Sequence, residues 1–258
     1  MKRFKRAVIA ILAAYLFISV AMYLFQEKLI FLPTQLPQEY VYDFGRRYEE
    51  LFVDTQDGAR LNALHFPVDN AKGLILYFHG NAGDLSRWGE VVGYFEQFGY
   101  EVLVMDYRTY GKSTGKLGEE ELYSDAILMY DKATEYFPEE QIAIYGRSLG
   151  TTFATYVAAH RDPSQLILEA PFYSLEHVAS KRYWFLPVKP LLRYRFPTHE
   201  YLTHVSCPVT LLHGTNDGVV PYANSQRLFD SMAQPQLELI TIEDGGHNDL
   251  VNFEAYRK

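Results

Sequence analysis

The chain has 258 residues, of which 48% are apolar and 16% aromatic, a composition typical of a globular protein with a large core. The net charge is −8, but the first 25 residues hold four bases and no acid, so the remainder carries 20 bases against 32 acids, which disfavours nucleic-acid binding. The single cysteine, Cys207, excludes an intrachain disulfide and a metal site built on a cysteine pair.

The N-terminal segment 7–25 is a run of 19 residues without a charge. That is close to the roughly 20 residues that cross a hydrocarbon core as a helix. A cleaved signal peptide is the alternative, but signal cores run only about 7 to 15 residues and end in small side chains, whereas this run ends in Leu24 and Phe25. We therefore expect residues 1–25 to be an uncleaved single-pass membrane anchor. The bases before the span predict a cytoplasmic N-terminus, with the rest of the chain on the extracytoplasmic side.

The segment 26–47 contains Pro33, Pro37 and the apolar run 29–32. This composition is too apolar for a solvated linker, so we expect a juxtamembrane tether. Even fully extended, its 22 residues reach only about 75 Å, which keeps the remaining domain, residues 48–258, near the membrane.

From residue 48 onward, short apolar runs alternate with segments of helical period. This pattern predicts βαβ units, and therefore a mostly parallel sheet with helices on both faces. Two alternating runs around Asp57-Gly58 predict an antiparallel hairpin, and residues 119–136 predict the most regular helix. The predicted strands are 50–54, 60–66, 73–78, 101–105, 141–145, 166–168, 209–212 and 237–242.

One insertion, at about 170–207, has no strand pattern and is rich in aromatic residues and bases. We interpret it as a lid. Its mixture of apolar and basic side chains suits an acyl pocket with a basic rim near anionic lipid headgroups, and a lid that only packs on the domain is the alternative.

The sequence GRSLG at 146–150 lies between the predicted strand 141–145 and a helical stretch. A G-x-S-x-G in this position is typical of a nucleophile elbow, a sharp turn that exposes the serine while the glycines let strand and helix backbones pass closely. An ordinary glycine-flanked turn is the alternative. We expect Ser148 to be a nucleophile.

The loop HGNAG at 79–83 follows the predicted strand 73–78. Acyl transfer needs backbone donors for the developing oxyanion, one from the residue after the nucleophile and one from a loop of this kind. We assign these roles to the amides of Leu149 and Asn81; the alternative is a tight turn without a catalytic role. His79 precedes the serine and is interpreted as structural.

A serine nucleophile needs a histidine base, and the histidine needs a carboxylate. Hydrolases with this elbow carry them in the order serine, acid, histidine. Asp217 lies in a loop after the predicted strand 209–212, and His247 lies in a glycine-rich loop after the last strand. We therefore expect a Ser148, Asp217 and His247 triad, with Glu169 and Asp249 as rival acids.

The segment 106–111, DYRTYG, offers further candidates in Asp106, Arg108 and Tyr110. Buried charges are usually paired for structural reasons, so we interpret this run as a hydrogen-bonded brace under the site rather than as catalytic machinery.

Five motifs together resemble the α/β-hydrolase superfamily and, within it, the membrane-anchored serine hydrolases. They read HGNAG at 79–83, DYRTYG at 106–111, GRSLG at 146–150, HGTNDGVVP at 213–221 and GGHND at 245–249. The resemblance extends from residue 51 to the C-terminus and implies an α/β-hydrolase fold with a small lid. Thr109 stands where the family usually has glycine, which puts the shape of that turn in question. Relatives in eukaryotes include protein depalmitoylases, so the resemblance implies acyl ester or thioester substrates.

These features predict a serine hydrolase that cleaves carboxylic esters or thioesters of lipid or small-molecule acyl substrates near a membrane, through an acyl-enzyme. Two alternatives stay open: a serine peptidase, since the same triad cleaves amides, and a catalytically inactive membrane-bound interaction protein. The sequence contains neither a phosphate-binding loop nor a metal-ligand cluster, so we expect no cofactor and no metal.

Overall fold

The computed structural model describes residues 1–232 and 236–257. Eight strands form one central sheet: β1 (Glu49–Asp54), β2 (Arg60–Phe66), β3 (Leu74–Phe78), β4 (Glu101–Met105), β5 (Ile142–Arg147), β6 (Gln165–Glu169), β7 (Val209–Gly214) and β8 (Leu237–Ile242). Their spatial order is β8-β7-β6-β5-β3-β4-β2-β1. Only β2 runs antiparallel to its neighbours β1 and β4; the other pairs are parallel. The predicted strands and hairpin are confirmed, with ends shifted by one or two residues.

The sheet is covered on both faces because its central strands are apolar throughout. In β3, Leu74, Leu76 and Phe78 belong to one hydrophobic cluster, while Ile75 and Tyr77 belong to a second cluster. Alternate residues of a strand point to opposite faces, so these two clusters are the cores on either side of the sheet.

The α-helices of the described residues are α1 (Lys2–Ile30), α2 (Leu85–Val92), α3 (Glu119–Ala133), α4 (Gly150–Ala158), α5 (Leu175–Arg182), α6 (Val188–Leu191), α7 (Thr198–Leu202) and α8 (Ala223–Ser231). Helix α3 begins with three glutamates, which suit the positive end of the helix dipole. It ends three residues before the predicted end, because the amides of Tyr136 and Phe137 both donate to the carbonyl of Ala133 and Pro138 then blocks further helix.

Helix α1 is long and apolar enough to cross a membrane, with a mean hydropathy of 2.5 over its most apolar window. It has no break at residue 25, where we predicted the anchor to end and the tether to begin. Gln26, Glu27 and Lys28 are good helix formers and the first strong helix breaker is Pro33, so the helix continues to Ile30.

The segment after α1 packs on the domain instead of extending from it. Residues Leu32–Pro33 form a short parallel ladder with Ala82–Gly83 of the HGNAG loop. Phe31 and Tyr42 are buried, 2% and 3% exposed. This segment therefore holds the end of α1 directly against one of the loops that build the candidate site.

The insertion at 170–207 carries the three short helices α5, α6 and α7 and no strand. Its aromatic residues have different environments: Tyr194 and Phe196 are buried, whereas Trp184 is 81% exposed and Phe185 is 49% exposed. The insertion is thus partly a packing element and partly an apolar surface.

Candidate active site

Ser148 lies at the turn between β5 and α4 with φ of 50°, in the left-handed region that non-glycine residues avoid. Its amide donates to the carbonyl of Glu169 over 2.8 Å. Its carbonyl accepts from the amide and the hydroxyl of Thr151, at 3.0 and 2.6 Å. These three hydrogen bonds hold a strained turn in place, and a strained turn between strand and helix is the geometry expected of a nucleophile elbow.

Steric crowding explains why positions 146 and 150 are glycine. A Cβ on Gly146 would lie 2.6 Å from the Cβ of Ala154, and one on Gly150 would overlap the carbonyl oxygen of Phe78. Any larger residue would push α4 away from β3 and β5. The two glycines of GRSLG therefore indicate that α4 approaches the sheet closely.

The backbone amides of Asn81 and Leu149 are available to bind an oxyanion. In the described part of the chain neither donates to a protein acceptor, and both residues line one cavity together with Ser148. The carbonyl of Asn81 is fixed instead: it accepts from the amide of Leu32 at 2.9 Å and from the hydroxyl of Tyr110 at 2.7 Å. Two backbone amides without a protein acceptor among the described residues therefore belong to residues that share a cavity with Ser148, as an oxyanion site requires.

The structure brings His247 and Asp217 together. Nδ1 of His247 lies 2.7 Å from Oδ2 of Asp217, and Oδ1 of Asp217 accepts from the amides of Val219 and Val220 at 2.8 Å each. A histidine that donates through Nδ1 keeps Nε2 as an acceptor, the tautomer that a general base needs. His247 and Ser148 line the same small cavity. Among the hydrogen bonds of residues 1–232 and 236–257, none joins their side chains in this conformation.

A second histidine, His213, contacts Asp217 from the buried side, and sequence reasoning missed it. Its Nε2 lies 3.2 Å from Oδ2 of Asp217 and 2.8 Å from the carbonyl of Val220, while Nδ1 lies 2.6 Å from the hydroxyl of Ser225 on α8. Burial opposes the charge of Asp217, but the hydrogen bonds from His213 and His247 outweigh it and lower the pKa of Asp217. The signal available in the sequence was the position of His213 at the start of HGTND, four residues before Asp217.

The rival acids lie elsewhere. Glu169 forms an ion pair with Nε of Arg147 at 3.1 Å and accepts from the hydroxyl of Tyr145 at 2.6 Å. Asp249 accepts from the amide of Gly246 at 2.7 Å, within the glycine-rich loop. Both carboxylates have structural partners, and only Asp217 is hydrogen-bonded to the imidazole of His247 among the described residues.

Arg147, the variable residue of the elbow, is a second residue that sequence reasoning missed. Its guanidinium donates to the carbonyl of His247 at 3.2 Å and to Oδ1 of Asn248 at 3.1 Å. Since Nε of Arg147 also pairs with Glu169, Arg147 ties β5 and β6 to the loop that carries His247.

The DYRTYG segment braces the HGNAG loop. The hydroxyls of Tyr107 and Tyr110 donate to the carbonyls of His79 and Asn81, at 2.7 Å each. Buried Asp106 lies 3.3 Å from Nε2 of buried His79, and burial raises the pKa of Asp106. These contacts fix the conformation of the HGNAG loop from its buried side.

Arg108 makes bidentate pairs with Asp125 and Asp57 away from the serine. Thr109 adopts φ of 74°, so a threonine takes the left-handed conformation for which the family glycine is suited, and its buried hydroxyl has no hydrogen-bond partner among the described residues. The turn shape is thus kept at the cost of strain.

Two cavities meet at Ser148. The larger, about 630 Å³, is lined mostly by apolar side chains of α1, the insertion and the Asp217 loop, and Arg182 is its only charged lining residue in the described chain. The smaller, about 170 Å³, is lined by His247, Asn248, Arg147 and Arg87. Within the described ranges, no cluster of three or more His, Cys, Asp or Glu side chains is placed to hold a metal ion.

Comparison with known proteins gives a consistent result. Residues 69–202, about half of the chain, match the hydrolase family model described as "Serine aminopeptidase, S33". The chain is 32% identical over 249 residues to the uncharacterized Mycobacterium tuberculosis protein Rv2307c, covering 94% of this chain and 87% of that protein. It is 33% identical over 181 residues to the Danio rerio lysophosphatidylserine lipase ABHD12, covering 62% of this chain and 47% of the lipase.

Among solved structures, the Pyrococcus furiosus esterase Pf2001 superposes with a TM-score of 0.68 at 19% identity, covering 88% of this chain and 93% of that one. At this identity the match concerns the fold. Together with the family model, the relatives and the strand order of the sheet, it confirms the resemblance drawn from the motifs. The chain belongs to the α/β-hydrolase superfamily and is a hydrolase by family.

Proposed function

We propose that this protein is a serine hydrolase of carboxylic esters or thioesters, with Ser148 as nucleophile, His247 as general base and Asp217 as the carboxylate behind the histidine. The observation that supports it most is the 2.7 Å contact between Nδ1 of His247 and Asp217, with Ser148 in the same cavity as the imidazole. Unliganded enzymes often hold the contact between serine and histidine loosely until substrate binds.

In the proposed reaction, Nε2 of His247 takes the proton of Ser148 as Oγ bonds to the substrate carbonyl carbon. The carbonyl oxygen becomes an oxyanion facing the amides of Asn81 and Leu149. The imidazolium, stabilised by Asp217, then protonates the leaving alkoxide or thiolate, and an acyl-Ser148 ester remains. Water, deprotonated by His247, hydrolyses that ester and restores the serine hydroxyl.

The two cavities take different parts of the substrate because the leaving group must receive its proton from His247. Only the smaller cavity is lined by both His247 and Ser148, so the leaving group belongs there, beside exposed Arg87. The acyl group then belongs in the larger, apolar cavity, which is within the usual range of about 300 to 1,000 Å³ for small-molecule sites.

A membrane location is part of the proposal. Helix α1 acts as an uncleaved anchor, and the four bases before its uncharged run keep the N-terminus cytoplasmic, so that the hydrolase domain lies on the extracytoplasmic side. The position of Met22 supports retention of the helix, because cleavage near residue 25 would remove a residue that lines the larger cavity.

A serine peptidase is the second candidate, favoured by the match to the serine aminopeptidase family S33. An aminopeptidase needs a carboxylate to receive the substrate's free ammonium group. In the described chain no Asp or Glu lines either cavity, and the charged lining residues are bases or histidine. This lining favours acyl esters. An inactive interaction protein is disfavoured because every catalytic position is filled.

The test is steady-state hydrolysis of p-nitrophenyl esters beside p-nitroanilide amides by the full chain in detergent. We expect ester hydrolysis to dominate and Ser148→Ala to lower kcat by about 10⁶-fold. A Ser164→Ala variant, which removes the hydroxyl of an exposed serine that lines neither cavity, is the control. Amidase activity above esterase activity would favour the peptidase, and equal kcat for Ser148→Ala and wild type would exclude Ser148 as nucleophile.

A further inference from the structure

One face of the membrane helix reaches the candidate site. Met22, Gln26, Leu29 and Ile30 all line the larger cavity together with Ser148. Their spacing of four, three and one residues places them on one side of α1. Leu24, on another side of the helix, does not line the cavity; Leu24 is 59% and Leu29 51% exposed, so the cavity lining and not the exposure distinguishes the two sides. The anchor is therefore asymmetric: one stripe borders the cavity, and Leu24 on another side does not.

Gln26 fastens this stripe to the insertion. It is 5% exposed, although it lies in a helix that is otherwise mostly uncovered. Its Nε2 donates to the carbonyl of Leu191 at 3.1 Å, and its Oε1 accepts from the amide of Arg193 at 2.7 Å. Both ends of the amide side chain are thus satisfied by the backbone of the insertion, which fixes the rotation of α1 about its axis.

Neighbouring contacts strengthen the same junction. Glu27 accepts from the hydroxyl of Tyr194 at 2.7 Å and pairs with Arg193 at 3.0 Å. The ring of Phe31 packs edge-on against Tyr194, with 5.0 Å between centroids. A helix that served only as a membrane anchor would need none of these contacts. Here α1 and the insertion form one packed unit around the cavity.

The lining residues also place the cavity relative to the bilayer. The uncharged run ends at Phe25, and Met22 lies three residues inside it, about 5 Å along the helix axis. The cavity therefore extends alongside the segment that sits at the boundary of the hydrocarbon core. The exposed Trp184 and Phe185 of the insertion suit the same interfacial depth.

We propose that α1 is a wall of the acyl-binding site, and that the substrate is a membrane-resident acyl ester or thioester whose chain lies against Met22, Leu29 and Ile30 while its carbonyl meets Ser148. This inference rests on the proposed hydrolase function and extends it to the source of the substrate. The membrane helix is then part of the binding site as well as an anchor, and the acyl chain leaves the leaflet along it.

The direct test is a long-chain alkyl fluorophosphonate with a diazirine near the end of the chain, applied to the full-length protein in phospholipid vesicles. Oγ of the serine displaces fluoride at phosphorus; illumination expels N₂ and the carbene inserts into a neighbouring bond. We expect the cross-linked peptide to contain residues 22–30. Cross-links confined to peptides outside α1, from a probe attached to Ser148, would overturn the inference, whereas absence of attachment would count against the hydrolase function itself.

Chain-length kinetics give a second readout with a matched pair of variants. Leu29→Trp fills the cavity from α1, and Leu24→Trp makes the same change on an outward side of the helix. Losing room for two or more methylenes should lower kcat/KM for a dodecanoyl ester at least about tenfold relative to acetate in Leu29→Trp, and not in Leu24→Trp.

Leu29→Ala should shift preference in the opposite direction, towards longer chains, which guards against a Leu29→Trp protein that folds poorly. Identical chain-length profiles for wild type, Leu29→Ala and Leu24→Trp would contradict the inference. So would a wild type that prefers acetate. Loss of all ester hydrolysis in Ser148→Ala tests the catalytic proposal separately.

Discussion

The guanidinium of Arg147 donates to the backbone carbonyl of His247 over 3.2 Å, which joins the residue before the proposed nucleophile to the loop of the proposed base. The same side chain pairs with Glu169, 3% exposed, at the end of β6. A histidine on a loop after the last strand has no sheet partner of its own to fix it. Arg147 supplies that fixation, and we treat it as a positioning residue.

Substitution Arg147→Lys should therefore impair catalysis more than binding. Lysine keeps the charge beside Glu169 but lacks the planar fork that reaches the His247 loop at the same time. We expect kcat to fall about tenfold, with KM changed little, because a loosened imidazole costs transition-state stabilisation. Steady-state kinetics on a soluble ester measure this.

The matched control is Arg161→Lys, which alters an Arg–Asp pair with Asp131 that is at least 30% exposed at both partners. Surface pairs contribute little, so this variant should keep wild-type kcat. If Arg147→Lys also keeps it, the role assigned to Arg147 is wrong.

Tyr110 provides a second prediction. Tyr110→Phe removes the hydroxyl that donates to the carbonyl of Asn81 and accepts from the amide of Leu32. The loop that carries Asn81 should then become more mobile. We expect kcat to fall about fivefold to tenfold, which corresponds to about 1 kcal/mol for the loss of one hydrogen bond. Tyr48→Phe removes a comparable hydrogen bond, to the carbonyl of Tyr42, that does not involve the loop. Equal kcat for the two variants would argue against a role of Tyr110 in the oxyanion site.

Thr109 predicts a gain in stability. Its φ of 74° is unfavourable for a β-branched residue, and its hydroxyl is buried without a partner among the described residues. Thr109→Gly should raise the free energy of unfolding by about 1 kcal/mol, after the extra chain entropy of glycine is subtracted. Asn70→Gly, at φ of 56° but with a residue type that tolerates this region, should gain less. Chemical unfolding of each variant measures both; a destabilised Thr109→Gly would show that the threonine packs favourably.

Asp217 predicts a pH dependence. Hydrogen bonds keep its pKa in the folded protein below that of the unfolded chain, so its stabilising contribution is present above about pH 4, the unfolded value, and is lost as pH falls towards the folded value. Asp217→Asn should therefore unfold more easily than wild type at pH 7, and the difference should shrink below about pH 4. Unfolding curves at both pH values decide this, and a difference that grows on acidification would contradict it.

Much of the fold was predictable because its signals are local. The strands are short apolar runs, and GRSLG, HGTND and GGHND each lie at or just beyond the end of a strand, so the sheet topology alone brings their loops to one edge. The order serine, acid, histidine is met by Glu169 as well as by Asp217, and the structure gives Glu169 another partner in Arg147.

What the sequence did not predict depends on contacts between distant segments. The uniform apolarity of α1 indicates a membrane span, but it does not distinguish the residues of α1 that line the cavity from the other residues of the helix. Gln26 bonds to residues 165 and 167 positions away, which no local pattern encodes. His213 likewise acquires its role from the approach of α8 and the Asp217 loop.

The most direct test of the proposed mechanism is labelling of the purified full-length protein by a fluorophosphonate probe, with the modified residue located by peptide mass spectrometry. We predict a single labelled site at Ser148 in wild type, and labelling slowed by orders of magnitude in His247→Ala because the serine loses its base. Modification at a different residue, or equal labelling rates for wild type and His247→Ala, would contradict the proposed catalytic triad.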